Sequence, residues 1–341
     1  MMKGKGVHIL CIVVLLGILP VMRLRSQQLP VYSQYMISRF LLNPARAGAD
    51  GYTIVEVNAR EQWLGFSGAP RTHSVAFQSR KLKPSFISGS RSARRTYGAR
   101  KRGGKVGIGG HIFNDQAGIV NYTGALATYA YHIRMRDQQL SFGLSASVLQ
   151  YKLNKEKMIL YPREEDDPLL MQGNTLYSPD ASFGAYYMFP NFYAGLSATQ
   201  LFQSKFSFGN LGATQYRLLR TYYLMAGYKI EIDRDFSFEP SMLYKTNERL
   251  KNQMDLSFRG YYLDDYWLGL SYRSGGKQVE DTKNAGAVVF LAGVRIDKVH
   301  IGYAFDYNLN SLQKYSYGSH ELNISLYFGD NARRYRWIER Y

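Results

Sequence analysis

The strongest constraint on this chain is a period of two. From Leu140 to Val148, the residues Leu140, Phe142, Leu144, Ala146 and Val148 fall on one face of an extended chain, and Ser141, Gly143, Ser145 and Ser147 fall on the other. Val299, Ile301, Tyr303, Phe305 and Tyr307 oppose His300, Gly302, Ala304, Asp306 and Asn308 in the same way. Leu322, Ile324, Leu326 and Phe328 oppose Asn323, Ser325 and Tyr327, while Met254, Leu256, Phe258 and Tyr262 oppose Asp255, Ser257, Arg259 and Tyr261. Counted along the chain there are 14 such segments, beginning near residues 52, 71, 105, 119, 139, 180, 191, 217, 236, 252, 266, 285, 298 and 319. Gly, Asn, Asp or Pro punctuate them, as turns require.

The connections sort by parity. Every even-to-odd connection after the second segment is short: Arg134–Gln138, Phe189–Asn191, Glu231–Asp235, Leu263–Asp265 and Asp297–Lys298. Most odd-to-even connections are longer, notably Asn154–Ser178, Gln200–Tyr216 and Ser274–Asn284. A soluble β-sandwich has no reason to sort its loops this way, whereas outer-membrane barrels pair short periplasmic turns with long outer loops. The expected fold class is therefore all-β, a transmembrane outer-membrane antiparallel β-barrel of about 14 strands over residues 52–329, with a tail at 330–341. A mean hydropathy of −0.30 is no objection, because lipid-facing and lumen-facing residues alternate and average out. The 29 Tyr, 18 Phe and 3 Trp suit aromatic girdles at two membrane interfaces.

The first 26 residues have a different character. Lys3 and Lys5 precede an apolar run from Val7 to Val21, too short for a comfortable membrane helix but suited to a signal peptide over residues 1–26, cleaved after Ser26. Cys11 is the one cysteine and lies inside that run, so the mature chain has no thiol for a disulfide or metal. Residues 27–51 contain Pro30, Asn43-Pro44 and Gly48 and do not alternate. They are expected to form a periplasmic cap or a plug in the lumen.

The formal charge is +17, of which 14 excess charges are local. Four belong to the leader, and ten Lys or Arg with no acid lie between Arg80 and Lys105. Parity puts this basic loop (80–105), with Arg91, Arg94, Arg95, Arg100, Lys101 and Arg102, in the periplasm. It suits acidic periplasmic partners, peptidoglycan or anionic lipid head groups, or else a solvated insertion. Without interleaved stacking aromatics on a folded face, it gives no reason to expect nucleic acid. The inward parity also carries Lys229, Glu231, Glu239, Lys245, Asp255, Arg259, Arg273 and Asp306. Mixed signs fit either a selective pore lining or an ion-pair network, with Glu239, Asp255, Arg259, Arg273 and Asp306 as its candidate members.

No G-x-S-x-G, H-E-x-x-H, P-loop or cysteine pair occurs, and His73, His111, His132, His300 and His320 lack ligand spacing. Glu164, Glu165, Asp166 and Asp167 form an acidic run in an outward loop, readable as a calcium site or as solvated charge. The expectation is no enzymatic activity and no cofactor or metal.

Ordered motifs along the chain resemble a known family. They begin with Tyr32-Ser33-Gln34-Tyr35-Met36, Leu42-Asn43-Pro44-Ala45 and Ala47-Gly48. Arg60-Glu61-Gln62-Trp63-Leu64-Gly65-Phe66 follows, with Gly68-Ala69-Pro70 and Thr72. Phe113-Asn114-Asp115, Gly118, Gly124, Tyr129-Ala130-Tyr131, Asn191 to Ser197 and Gln200-Leu201 complete the set. Together they resemble the PorP/SprF family of Bacteroidota. The resemblance implies an outer-membrane component of the type IX secretion system that supports export or surface anchoring of cargo bearing C-terminal sorting domains, some members serving gliding adhesins. Its implied partners are other secretion subunits, sorting-domain cargo and outer-membrane lipid. The basic 80–105 loop departs from the family pattern, where this connection is short. Trp63, Phe66 and Pro70 lie in a stiff outward turn that reads either as a cargo contact or as a membrane-interface anchor. The alternative function is a channel for small or hydrophobic solutes.

Overall fold

The computed structural model describes residues 32–81, 105–135, 137–154, 175–208, 214–248, 252–274 and 286–329. Its strands, in chain order, are β1 (Thr53–Glu61), β2 (Arg71–Lys81), β3 (Val106–Ala117), β4 (Val120–Met135), β5 (Gln138–Leu153), β6 (Thr175–Phe189) and β7 (Phe192–Thr199). Then come β8 (Lys205–Phe208), β9 (Thr214–Arg217), β10 (Thr221–Tyr228), β11 (Ile230–Glu231), β12 (Phe236–Asn247) and β13 (Gln253–Tyr262). The last are β14 (Tyr266–Ser274), β15 (Ala287–Ile296), β16 (Val299–Asn308) and β17 (Ser319–Phe328).

Fourteen of these close into one antiparallel barrel. Neighbours in sequence are neighbours in space, β10 joins β7 to β12, and the seam is β1 on β17, from Thr53 opposite Phe328 to Glu61 opposite His320. Closure leaves no edge, the condition under which strands can cross a bilayer. No helix among the described residues is long and apolar enough to do so.

Twelve of the 14 strand starts fall within two residues of the alternation. The other two differ for physical reasons. β6 begins at Thr175 rather than near 180, because the strand runs through Pro179, opposite Val148, although proline ordinarily breaks a ladder. β10 begins at Thr221 rather than near 217, because residues 214–217 pair with β8 in a separate two-stranded sheet. That hairpin, and the two-residue β11, left no readable alternation.

The period of two becomes two surfaces. Leu144, Leu196 and Leu268 point outward and are exposed, whereas Gly143, Ser145, Ser197 and Ser271 on the same strands point inward. At the β13–β14 turn Leu263 and Asp264 both have positive φ (55° and 58°), the mirror-image geometry that matches strand twist.

Residues 32–51 lie inside the barrel. All of 32–50 except Ile37, Leu41 and Asp50 are buried. The segment is a chain of turns around a short helix, α1 (Arg39–Leu42), and a 3-10 turn at Pro44–Arg46. Asn43 caps that turn by accepting from the Ala45 N–H (2.9 Å), and Pro44 takes the first position, where an N–H is dispensable. Around it is an apolar core: Tyr32, Tyr35, Met36, Leu42 and Ala45 pack with Tyr186, Met188, Tyr193, Tyr223, Met225, Leu243, Val289, Leu291 and Ala304.

Candidate functional site

Among the described residues the lumen gathers most of the buried charge and buried polar atoms. Its contents are best described from the periplasmic end, which is taken as the end bearing the short turns.

Along β3–β7 the wall is made of small residues. Cross-strand pairing aligns Gly107 with Ala130, Ala130 with Gly143, Gly143 with Gly184, and Gly184 with Ser197, in one row across five strands. Residues 42–48 follow this row. Ser197 donates to the Leu42 carbonyl (2.6 Å), and the Asn43 amide donates to the carbonyls of Ala185 (3.0 Å) and Leu196 (3.1 Å). A Cβ on Gly184 would lie 2.1 Å from Asn43 Oδ1; on Gly143, 2.3 Å from Ala45 N; on Gly107, 1.9 Å from the Ala47 carbonyl oxygen. Only glycine lets the two backbones approach this closely. His132 joins Ser141 (2.8 Å) to the Ala47 carbonyl (3.0 Å). Gly48, at φ +65° and with its would-be Cβ 2.6 Å from the Ser79 carbonyl, donates its N–H to Gln78 (3.1 Å).

Along β12–β17 and β1 the wall is ionic, in two clusters. In the inner one Glu239 accepts from Arg259 (2.8 Å), Arg39 (3.1 Å), Tyr193 (3.2 Å) and Tyr261 (2.9 Å). The Arg39 guanidinium also lies 3.8 Å from the centre of the Tyr193 ring. In the outer cluster Arg273 bridges Asp255 (2.9 Å) and Asp306 (3.0 Å), and Arg60 bridges Asp306 (2.7 Å) and Glu321 (2.9 Å). Ser33 sits at its centre. Its hydroxyl donates to Asp306 (2.7 Å) and accepts from Arg60 (2.6 Å) and Arg273 (3.1 Å), while its N–H donates to Glu321 (2.6 Å). Gln34 N–H (3.1 Å) and Asn58 (3.0 Å) complete Glu321. Ser38 and Asn323 meet on Glu56.

The five network candidates read from parity therefore all lie in the lumen, divided between the two clusters. Glu231 is exposed on β11, Lys229 pairs with Asp264 at the mouth (2.7 Å), and Lys245 lies 5.9 Å from the Tyr223 ring centre. Arg60, Glu321, Arg39 and Ser33 were missed. The first two had a signal: Ile54, Glu56, Asn58 and Arg60 share the inward parity of β1, and Glu321 shares that of Asn323 and Ser325.

At the outer rim the β1–β2 turn is stitched to its neighbours. Leu64 N–H donates to Gly318 (2.8 Å), Tyr317 N–H to Leu64 (2.8 Å), and Gly118 N–H to Gly68 (2.9 Å). Trp63 is half-buried at φ 49° with its N–H on Ser319 (3.1 Å), Phe66 is exposed, and Pro70 is half-buried, accepting from Gln62 N–H (2.9 Å). Leu64, Phe66, Tyr315 and Tyr317 together expose apolar surface there. Arg91, Arg94, Arg95, Arg100, Lys101, Arg102 and the acidic run 164–167 lie outside the described residues. Arg80 is described, and it points into the lumen, donating to Gln139 (2.7 Å) rather than extending the basic loop. Among the described residues no group of three or more His, Cys, Asp or Glu is gathered as a metal ion would need.

A family model described as "Type IX secretion system membrane protein PorP/SprF" matches residues 24–326. No curated protein matches the sequence. Among solved structures, the outer membrane protein Omp33 of Acinetobacter baumannii is 9% identical with a TM-score of 0.45, over 82% of this chain and 100% of that one. The toluene transporter TodX of Pseudomonas putida is 12% identical at 0.45, over 88% and 93%. A mutant porin of Rhodopseudomonas blastica is 5% identical at 0.33, over 81% and 99%.

Proposed function

The chain belongs to the PorP/SprF family of type IX secretion system membrane proteins, and we propose that within that system it is a docking barrel for exported proteins bearing C-terminal sorting domains, not the conduit they pass through. It is an integral outer-membrane β-barrel. The observation that carries the reading is the filled lumen. Residues 32–51 touch the wall nearly all the way round, from Glu56 on β1 through Gly107, Gly143 and Ser197 to Ser257, Asp306 and Glu321. Buried apolar side chains and buried ion pairs occupy the space a polypeptide would need. Binding then falls to the two rims. On the outer rim Trp63, Phe66 and Pro70 sit on a turn held by two neighbouring loops, a rigid platform with exposed aromatic area, the composition favoured at protein interfaces. On the periplasmic side the basic residues Arg91, Arg94, Arg95, Arg100, Lys101 and Arg102 suit an acidic face of another secretion subunit or anionic lipid.

The test is deletion of the gene in the native organism, followed by mass spectrometry of surface and medium proteins. Selective loss of sorting-domain proteins from the surface is expected, and restoration by a Phe66→Ser chain should be partial. An unchanged surface proteome overturns the reading and favours a channel for small solutes.

A further inference from the structure

At the periplasmic mouth, between the plug and the ionic wall, lies a cavity of about 130 Å³. That is room for roughly four waters at liquid density or one small ligand. Its lining is part apolar (Met36, Phe40, Trp267, Ile301) and part charged, and it includes both arginines of the inner cluster, Arg39 and Arg259. None of the outer-cluster residues Ser33, Arg60, Asp255, Arg273, Asp306 or Glu321 lines it.

The charges around this cavity balance in sum once Glu56 is counted, but not pair by pair. Arg46 is matched by Asp50 (2.5 Å), Lys229 by Asp264 (2.7 Å) and Arg295 by Asp265 (2.8 Å). Arg39 and Arg259, by contrast, share the single carboxylate of Glu239 (3.1 and 2.8 Å), so these two side chains, each more than nine-tenths buried, have one carboxylate in contact, and the charge that balances the second lies across the cavity on Glu56. The Nε of each of these arginines is buried with no hydrogen-bond partner. A buried charge without a counter-ion in contact is costly, and a guanidinium that lines a cavity is met most directly by a carboxylate, which matches its planar donors. Glu56 lines the same cavity from β1, six strands round the barrel from Glu239 on β12, and disfavours a second negative charge.

We propose that the cavity binds a monocarboxylate with a small apolar body, its carboxylate on Arg39 and Arg259 and its body against Trp267, Met36 and Phe40. This site is independent of the docking reading. The ligand's carboxylate belongs either to a free small acid or to the C-terminus of a polypeptide reaching in from the periplasm.

The test uses the full chain in detergent micelles, titrated with N-acetyl-leucine and with its uncharged amide. Binding is read as the tryptophan fluorescence change that disappears in a Trp267→Phe chain. The acid should saturate at least tenfold more tightly than the amide. Arg39→Gln, which leaves one arginine per Glu239, should weaken it more than tenfold, and Glu239→Gln should tighten it. Heat-modifiable gel mobility checks that each barrel is folded, and Arg259→Gln serves if the plug variant does not assemble. Ala-Ala-Leu with a free C-terminus then separates the sources: binding as tight as the acid assigns a chain terminus, and exclusion assigns a free acid. Equal binding of acid and amide, or acid binding unchanged by both arginine variants, overturns the proposal.

Discussion

On β3–β7 the plug meets Gly107, Ala130, Gly143, Gly184 and Ser197; on β12–β17 and β1 it meets Glu239, Arg273, Asp306, Glu321 and Arg60. Both walls hold the same twenty-residue segment, by different physics. The small-residue wall works by distance: backbones approach until an added methyl would overlap an atom at 1.9–2.3 Å, and the polar contacts are neutral hydrogen bonds to carbonyls. The ionic wall works by compensation: most of its acids are matched by arginines on other strands, and the plug supplies the hydroxyls of Ser33 and Ser38, two N–H groups and Arg39. The first wall should fail abruptly when a side chain grows. The second should fail in proportion to the charge left without a partner.

Four substitutions sharpen that contrast. The largest effect is expected from Gly143→Leu. The Cβ alone falls 2.3 Å from the Ala45 nitrogen, so residues 42–48 cannot keep their seat. Limited proteolysis should cut within residues 32–51 of the folded barrel, where the parent resists. Arg60→Ala comes next, because it strands Glu321 in a buried cluster and leaves Asp306 only Arg273, a loss of ~3–5 kcal/mol measurable by urea unfolding in micelles. Asn43→Ala, on the small-residue wall, removes two hydrogen bonds to carbonyls and one cap without adding volume. It should cost about 1–3 kcal/mol in the same assay, less than Arg60→Ala. Smallest is Arg71→Ala, whose pairing with Glu61 is 3.8 Å long and solvent-exposed. A shift above ~0.5 kcal/mol there would mean that charge at the rim carries stability this account places in the lumen.

The same contrast explains what the sequence made legible. The ionic wall was readable because Glu239, Asp255, Arg259, Arg273 and Asp306 interrupt strands at inward parity, and a charge inside a barrel needs a partner. The small-residue wall was not, since Gly107, Gly143 and Gly184 fit the alternation without marking a face. What they pack against, Asn43 to Gly48, is remote in sequence and has no period. Barrel closure and strand number followed from alternation and loop parity. Whether residues 27–51 cap or fill the barrel did not, because turns rich in Pro, Asn and Gly look alike in water and in a lumen. The β8–β9 hairpin escaped for a simpler reason: four-residue strands are too short for a period of two to declare itself.

The central claim, that the barrel docks proteins with its lumen filled, is tested most directly by ion conductance in planar bilayers, comparing the full chain with its Gly143→Leu variant. The account predicts a silent parent and a variant with steady, resolvable openings, because the only change is the loss of the plug's seat. Steady conductance by the parent, equal to that of the variant, would contradict it.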